Sequence, residues 1–141
     1  MKSKEKTNNK IGSERELVIA LVESFEKENM SVKTEVQLFE RFIDILAYTN
    51  DKYFAIEAKI NSPTQAFKQA GRYKIIADYT YVAVPKNRTN AKAYKLAEET
   101  GIGLMLVSKL DSCYTIEVAI ESKISDIKSE KITNYIMELA C

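Results

Sequence analysis

The sequence predicts an α/β domain, a mixed β-sheet with helices on both faces. Three observations predict it. Strand-like runs near 32–37, 41–46 and 53–59 follow one another with connections too short to hold a helix, which implies an antiparallel start. Strand-like and helical runs then alternate, the pattern that joins parallel strands by crossovers. The chain has 141 residues, 45% of them hydrophobic, enough for one domain with a sizeable core.

Residues 1–10 are polar and lysine-rich and read as a mobile arm before a single domain at 11–141. Ser13-Glu14-Arg15-Glu16 fits a capping box, with Glu16 reaching back to the cap. Leu17, Val18, Leu21 and Phe25 then form one apolar stripe of the first helix. Between the second and third strands stands Thr49-Asn50-Asp51-Lys52. Asn and Asp tolerate positive φ, so Asn50-Asp51 can form a two-residue hairpin loop. If Thr49 faces Lys52, Asp44 faces Glu57. Phe42, Asp44 and Leu46 then share the face that meets Tyr53, Ala55, Glu57 and Lys59.

Ser62-Pro63-Thr64-Gln65 reads as a second capping box, with Pro63 at the first helical position. Ala66, Phe67, Ala70, Tyr73 and Ala77 form the buried side of that helix. Tyr79–Val84 is β-branched and aromatic and ends at Pro85, as a strand does. A third helix over 89–100 stops at Gly101. Gly103–Val107 reads as a short buried strand and Tyr114–Ile120 as an edge strand. A last helix over 125–139 carries Ile127, Ile132, Tyr135, Ile136 and Leu139 on one side, suited to covering the core or to a dimer contact.

Charge is costly inside apolar strands, yet Asp44, Glu57 and Lys59 interrupt Arg41–Leu46 and Ala55–Lys59. Opposed carboxylates repel, and a divalent cation would remove the repulsion. Mg²⁺ or Mn²⁺ bound by Asp44 and Glu57, with Lys59 beside it, is chemistry suited to cutting phosphodiester bonds. The competing reading is a cross-strand Lys–Glu pair with Asp44 at a solvated edge. Glu14 falls at the centre of the helix stripe, facing the site, or it complements the helix dipole as a first-turn acid. Gln69 and Tyr73, one turn apart, project toward the site or sit at the core boundary.

Histidine is absent, which excludes imidazole triads and His general bases. Cys113 and Cys141 lack metal-ligand spacing, so neither a zinc site nor a disulfide framework is expected. The chain shows no signal-peptide core and no run long enough to span a membrane, so a cytoplasmic protein is expected. The net charge of +1 is unevenly spread. Residues 58–96 carry eight basic side chains against Asp78 alone, a segment suited to a phosphate backbone.

These residues resemble the PD-(D/E)xK nuclease superfamily. Asp44 matches the signature Asp, with Ile43 where the name has Pro, and Glu57-Ala58-Lys59 matches (D/E)xK. Glu14 matches the first-helix glutamate of many members. Residues 12–18 and the step from Asp44 to Glu57 resemble archaeal Holliday junction resolvases, and Gln69–Tyr73 resembles the QxxxY motif of RecB-like nucleases. The loop at 28–33 departs from the resolvase pattern, lacking its Gly/Ser-rich basic segment. The resemblance implies a restriction-endonuclease-like fold with an αβββαβ core and Mg²⁺-dependent (or Mn²⁺-dependent) hydrolysis of DNA, as by a small structure-selective endonuclease. It implies Asp44, Glu57 and Glu14 as metal ligands, with Lys59 positioning water and Gln69 supporting catalysis. Lys68, Arg72, Tyr73, Lys86 and Arg88 are the expected DNA contacts, and a homodimer is expected for cutting two strands. The alternative is a non-catalytic nucleic-acid-binding or protein-binding module on the same fold.

Overall fold

The computed structural model describes residues 9–140, so the arm expected at 1–10 falls outside it except for its last two residues. One six-stranded sheet runs in the order β1–β6. Its strands are β1 (Ser31–Leu38), β2 (Arg41–Tyr48), β3 (Tyr53–Ala58), β4 (Tyr79–Pro85), β5 (Gly103–Leu110) and β6 (Cys113–Ile120). The first three form an antiparallel meander. β3, β4 and β5 are parallel, and β6 returns antiparallel at the edge. The mixed α/β sheet is therefore the one the sequence predicts.

Helix α1 (Glu14–Lys27) covers one face. Leu17, Ala20, Leu21 and Phe25 pack against Ile45, Ile56, Tyr81 and Val107. Helices α2 (Pro63–Ala70), α3 (Ala91–Thr100) and α4 (Glu130–Ala140) cover the other. There Phe67, Ala97 and Ile136 join Leu46, Val82, Leu104 and Leu106. Each large aliphatic side chain taken wholly from water contributes roughly 1.5–3 kcal/mol.

The first cap forms as expected: Ser13 Oγ accepts from Glu16 N at 3.1 Å. Glu16 reaches back one residue further than predicted, accepting from Gly12 N at 2.8 Å. It also pairs with Lys109 Nζ at 2.7 Å and accepts from the Tyr114 hydroxyl at 2.6 Å, which ties α1 to β5 and β6. Lys109 and Tyr114 together hold the Glu16 carboxyl down to about 2.

Three local expectations are corrected. Ser62 precedes α2 in the left-handed region at φ 57, and its side chain makes no capping bond. Helix α2 stops at Ala70, and Gly71–Ile75 winds more tightly as a 3-10 turn. Residues before Glu130 are not helical because they strap other elements down. Ser125 Oγ donates to Lys74 O at 2.6 Å, and Lys128 Nζ lies 3.5 Å from Asp78 Oδ2.

Gly103 is required by close approach. A Cβ there would stand 2.3 Å from the Tyr81 ring and 2.7 Å from Ile120 O. Gly103→Ala should destabilise the domain by about 2 kcal/mol or more through overpacking. Urea unfolding checks this, and an unchanged midpoint would show that β4–β6 yield without cost.

Candidate active site

β2 and β3 pair from Tyr48 opposite Tyr53 to Ile45 opposite Ile56, the register expected from the Asn50-Asp51 loop. Thr49 N donates to Lys52 O at 3.0 Å and closes that loop. The regular ladder ends at Ile45, and Asp44 and Glu57 stand just beyond it. Asp44 Oδ2 accepts from Ala58 N at 2.9 Å, so a side chain satisfies a donor that a strand carbonyl would otherwise take. The β1–β2 ladder skips the same position, where Glu35 has φ 51. Left-handed backbone at a non-glycine residue costs on the order of 1 kcal/mol.

The expected sharing of one face by Phe42, Asp44 and Leu46 fails at this irregularity. Ile43 and Leu46 join the same core, and Phe42 is 58% exposed. Asp44 is left half-buried at the point where the strand changes faces.

Glu57 is the next residue of β3 and is only 6% exposed. Its Oε1 accepts from the Tyr73 hydroxyl, which also lies 3.4 Å from Phe42 O. Burial, and then the charge of Asp44, push the Glu57 carboxyl up to about 7, against the Tyr73 bond and the Lys59 charge. Asp44 is also raised by burial, with Glu14 adding to the effect and the Ala58 bond and Lys59 opposing it. Burial and the bond to Glu57 push the Tyr73 hydroxyl far above its usual range, so it remains a donor.

Lys59 follows β3 directly. Its backbone N donates to Ala83 O at 3.0 Å, and its half-buried side chain lowers both carboxylates electrostatically. Asp44, Glu57 and Lys59 are thus brought together. Glu14 stands at the rim: it is exposed, and its Oε2 lies 3.5 Å from Ile60 N. Among the described residues, no group of three or more His, Cys, Asp or Glu side chains is assembled as a metal cage. Two adjacent carboxylates are nonetheless a donor set of the kind Mg²⁺ takes, with water and substrate oxygens completing its shell.

Gln69 is half-buried on α2, and no hydrogen bond links it to the carboxylates. Tyr73 is 3% exposed, so the expected DNA contact is corrected: it braces Glu57 from within. Lys68, Arg72, Lys86 and Arg88 are exposed. Lys86 pairs with Glu117 at 3.1 Å, and Arg88 Nη1 donates to Asn61 Oδ1 at 2.8 Å. The Asn61–Arg88 link joins the loop after β3 to the turn after β4, and no sequence-spacing rule connects the two. A groove of about 710 Å³ between α1 and the β1–β2 hairpin, lined by Glu14, Val18, Val22 and Glu35, opens onto Asp44.

No family model and no curated protein matches this chain. Among solved structures it is similar to a protein of unknown function from Silicibacter pomeroyi. That likeness has a TM-score of 0.65 at 13% identity and covers 86% of this chain and 78% of that one. It shows the fold alone. SfsA from Pyrococcus furiosus, solved with Ca²⁺, aligns at a TM-score of 0.42 and 15% identity, over 77% of this chain and 60% of SfsA. Among the described residues, no helix is long and apolar enough to cross a membrane.

The shifted Glu57 carboxyl makes a pH prediction for the metal-free protein. The unfolded chain releases this proton near 4.5 and the folded chain near 7. Between those values the folded state binds more protons, so stability falls as pH rises through the window and levels off above it. Glu57→Gln should flatten that dependence and stabilise the protein above the window by on the order of 2–3 kcal/mol. Urea unfolding in EDTA across the window checks it, and equal pH slopes for both proteins would contradict it.

Proposed function

We propose that the protein is a divalent-metal-dependent nuclease that hydrolyses DNA phosphodiester bonds. The observation that carries this reading is the meeting of the nearly buried Glu57 carboxylate with Asp44 and Lys59 at the end of β3. Two ionised carboxylates in a poorly solvated place repel each other, and a cation held by both offsets that cost. Mg²⁺ or Mn²⁺ held by Asp44 and Glu57 would polarise a phosphate oxygen and make bound water more acidic.

The chain's own groups do the positioning. The Tyr73 hydroxyl holds Glu57 in place, and Ala58 N–H holds one oxygen of Asp44, leaving Oδ1 for a ligand. Lys59 orients the attacking water and offsets the charge that grows on the phosphate. Glu14 supports from the rim, and Gln69 would support from α2. Lys68, Arg72, Lys86 and Arg88 neutralise flanking phosphates, and each such contact steepens the salt dependence of binding. Structure-selective cutting by a homodimer belongs to the same proposal: two symmetric sites cut two strands in one encounter. The apolar Tyr135 and Leu139, each about 60% exposed on α4, suit such a contact.

A second reading, a nucleic-acid-binding or protein-binding module without catalysis, is favoured by one observation: no three-ligand group stands ready for a metal among the described residues. Cleavage separates the two. Wild type with Mg²⁺ or Mn²⁺ should cut at least one of supercoiled plasmid, linear duplex, single-stranded DNA and a four-way junction, and EDTA should abolish it. Glu57→Ala and Lys59→Ala should each lower the rate by about 10²-fold or more. A folded wild type that cuts none of these, or variants that cut as well as wild type, would overturn the proposal.

A further inference from the structure

Helix α4 packs on the core through Thr133 and Ile136, with Ile132 and Met137 beside them. Its opposite side carries Lys131, Asn134, Tyr135, Glu138 and Leu139, all exposed. Steps of three and four residues make these one continuous stripe along the helix. Tyr135 and Leu139 leave more than half their surface in water, and so does Phe42 near the start of β2. Between Phe42 and the helix runs a groove of about 390 Å³, lined by the buried Val36 and Ile136 and by the exposed Phe42 and Leu139. Apolar side chains gathered in this way at a surface mark a contact.

The charges of the stripe say what covers it. Lys131 stands in the first turn of α4 and Glu138 in the last. A helix dipole favours anions at its start and cations at its end, so both residues oppose the dipole of their own helix. Neither is answered within the chain: the ion pairs among the described residues are those of Lys86, Lys109 and Lys128. Lys131 and Glu138 also lie equally far from the midpoint between Asn134 and Tyr135, about 5 Å each way along the axis. A second α4, turned about a two-fold axis through that midpoint, runs antiparallel and sets Lys131 against the partner's Glu138, twice over. Tyr135 then stands beside the axis, and the two helix dipoles oppose each other. A stripe that matches its own reverse fits a copy of itself.

The same surface adjoins the candidate active site. Thr34 and Glu35 line the groove beside α4 and also the groove that opens onto Asp44. A chain seated on α4 therefore borders both.

We propose that the outer face of α4, with the groove beside Phe42, is the contact of a two-fold dimer in which α4 packs antiparallel on α4 of a second copy. This deepens the nuclease reading and rests on it for its use, because it supplies the linked pair of sites that a two-strand cut needs.

Sedimentation velocity of the full chain in EDTA, over a range of concentrations, measures the association without metal or DNA. The wild type should form dimers. Lys131→Glu and Glu138→Lys should each weaken the dimer about tenfold or more, since both symmetric pairs become repulsive. Each swap suits the dipole of α4 better than the native residue, so circular dichroism should show an unchanged helix content. The double variant Lys131→Glu, Glu138→Lys restores both pairs with their signs reversed, and should return the dimer to within about threefold of the wild type. Leu139→Glu should weaken it by removing apolar contact. A wild type that stays monomeric at every concentration would overturn the proposal and leave the face to a different protein. A dimer that ignores the single swaps, or that the double swap does not restore, would overturn it by placing the contact elsewhere or in another orientation. A dimer that obeys the swaps in a protein that cuts no DNA would sink the nuclease reading and leave the interface standing. Metal-dependent cleavage by a monomer would do the reverse.

Discussion

Glu57 stands one residue before the end of β3 in a place with little water, and the candidate site is organised around that fact. A lone carboxylate there would drift toward neutrality, and burial pushes Glu57 that way. The neighbouring groups answer it in different senses. Asp44 adds repulsion, Lys59 adds attraction, and Tyr73 spends its hydroxyl on one oxygen. The balance leaves a carboxyl poised near neutral pH rather than one locked in an ion pair. Under the proposed function, a cation held by Glu57 and Asp44 would take the place of that proton.

The fold delivers these groups by different routes. Glu57 and Lys59 arrive on one strand, whose apolar neighbours Ile56 and Ala58 anchor it against α1. Asp44 arrives where β2 leaves its ladder with both neighbours, and the Ala58 amide catches it. Tyr73 arrives from the far face on a turn wound after α2. The same parallel crossovers that place Tyr73 also set the starts of α2 and α3 side by side.

Much of this was legible in the chain. Asn50-Asp51 set the β2–β3 register, since a two-residue loop leaves no freedom to slip. Glu57 and Lys59 stood out because charge interrupts an apolar run. The burial of Tyr73 follows from its place on the apolar side of the second helical run, but its bond to Glu57 does not, because it joins residues on separate elements that no local spacing connects. Ser62 has the composition of a cap, but it stands in the left-handed region at φ 57, where its side chain makes no capping bond. The last helix begins at Glu130 because Ser125 and Lys128 are engaged with Lys74 and Asp78, a tertiary demand that overrides periodicity. The Asn61–Arg88 link is tertiary in the same sense.

The proposed function rests on Asp44 and Glu57 binding a divalent cation that displaces the proton burial favours on Glu57. Calorimetric titration with Mn²⁺ in two buffers of different ionisation enthalpy measures it directly, because the difference in heat counts the protons released. Near pH 7, where the Glu57 carboxyl is half protonated, the account predicts one binding event with a fraction of a proton released per ion. The release should vanish well above that pH, and Glu57→Gln should abolish the binding. Absence of binding in the wild type, or binding that survives Glu57→Gln with no proton release, would contradict it.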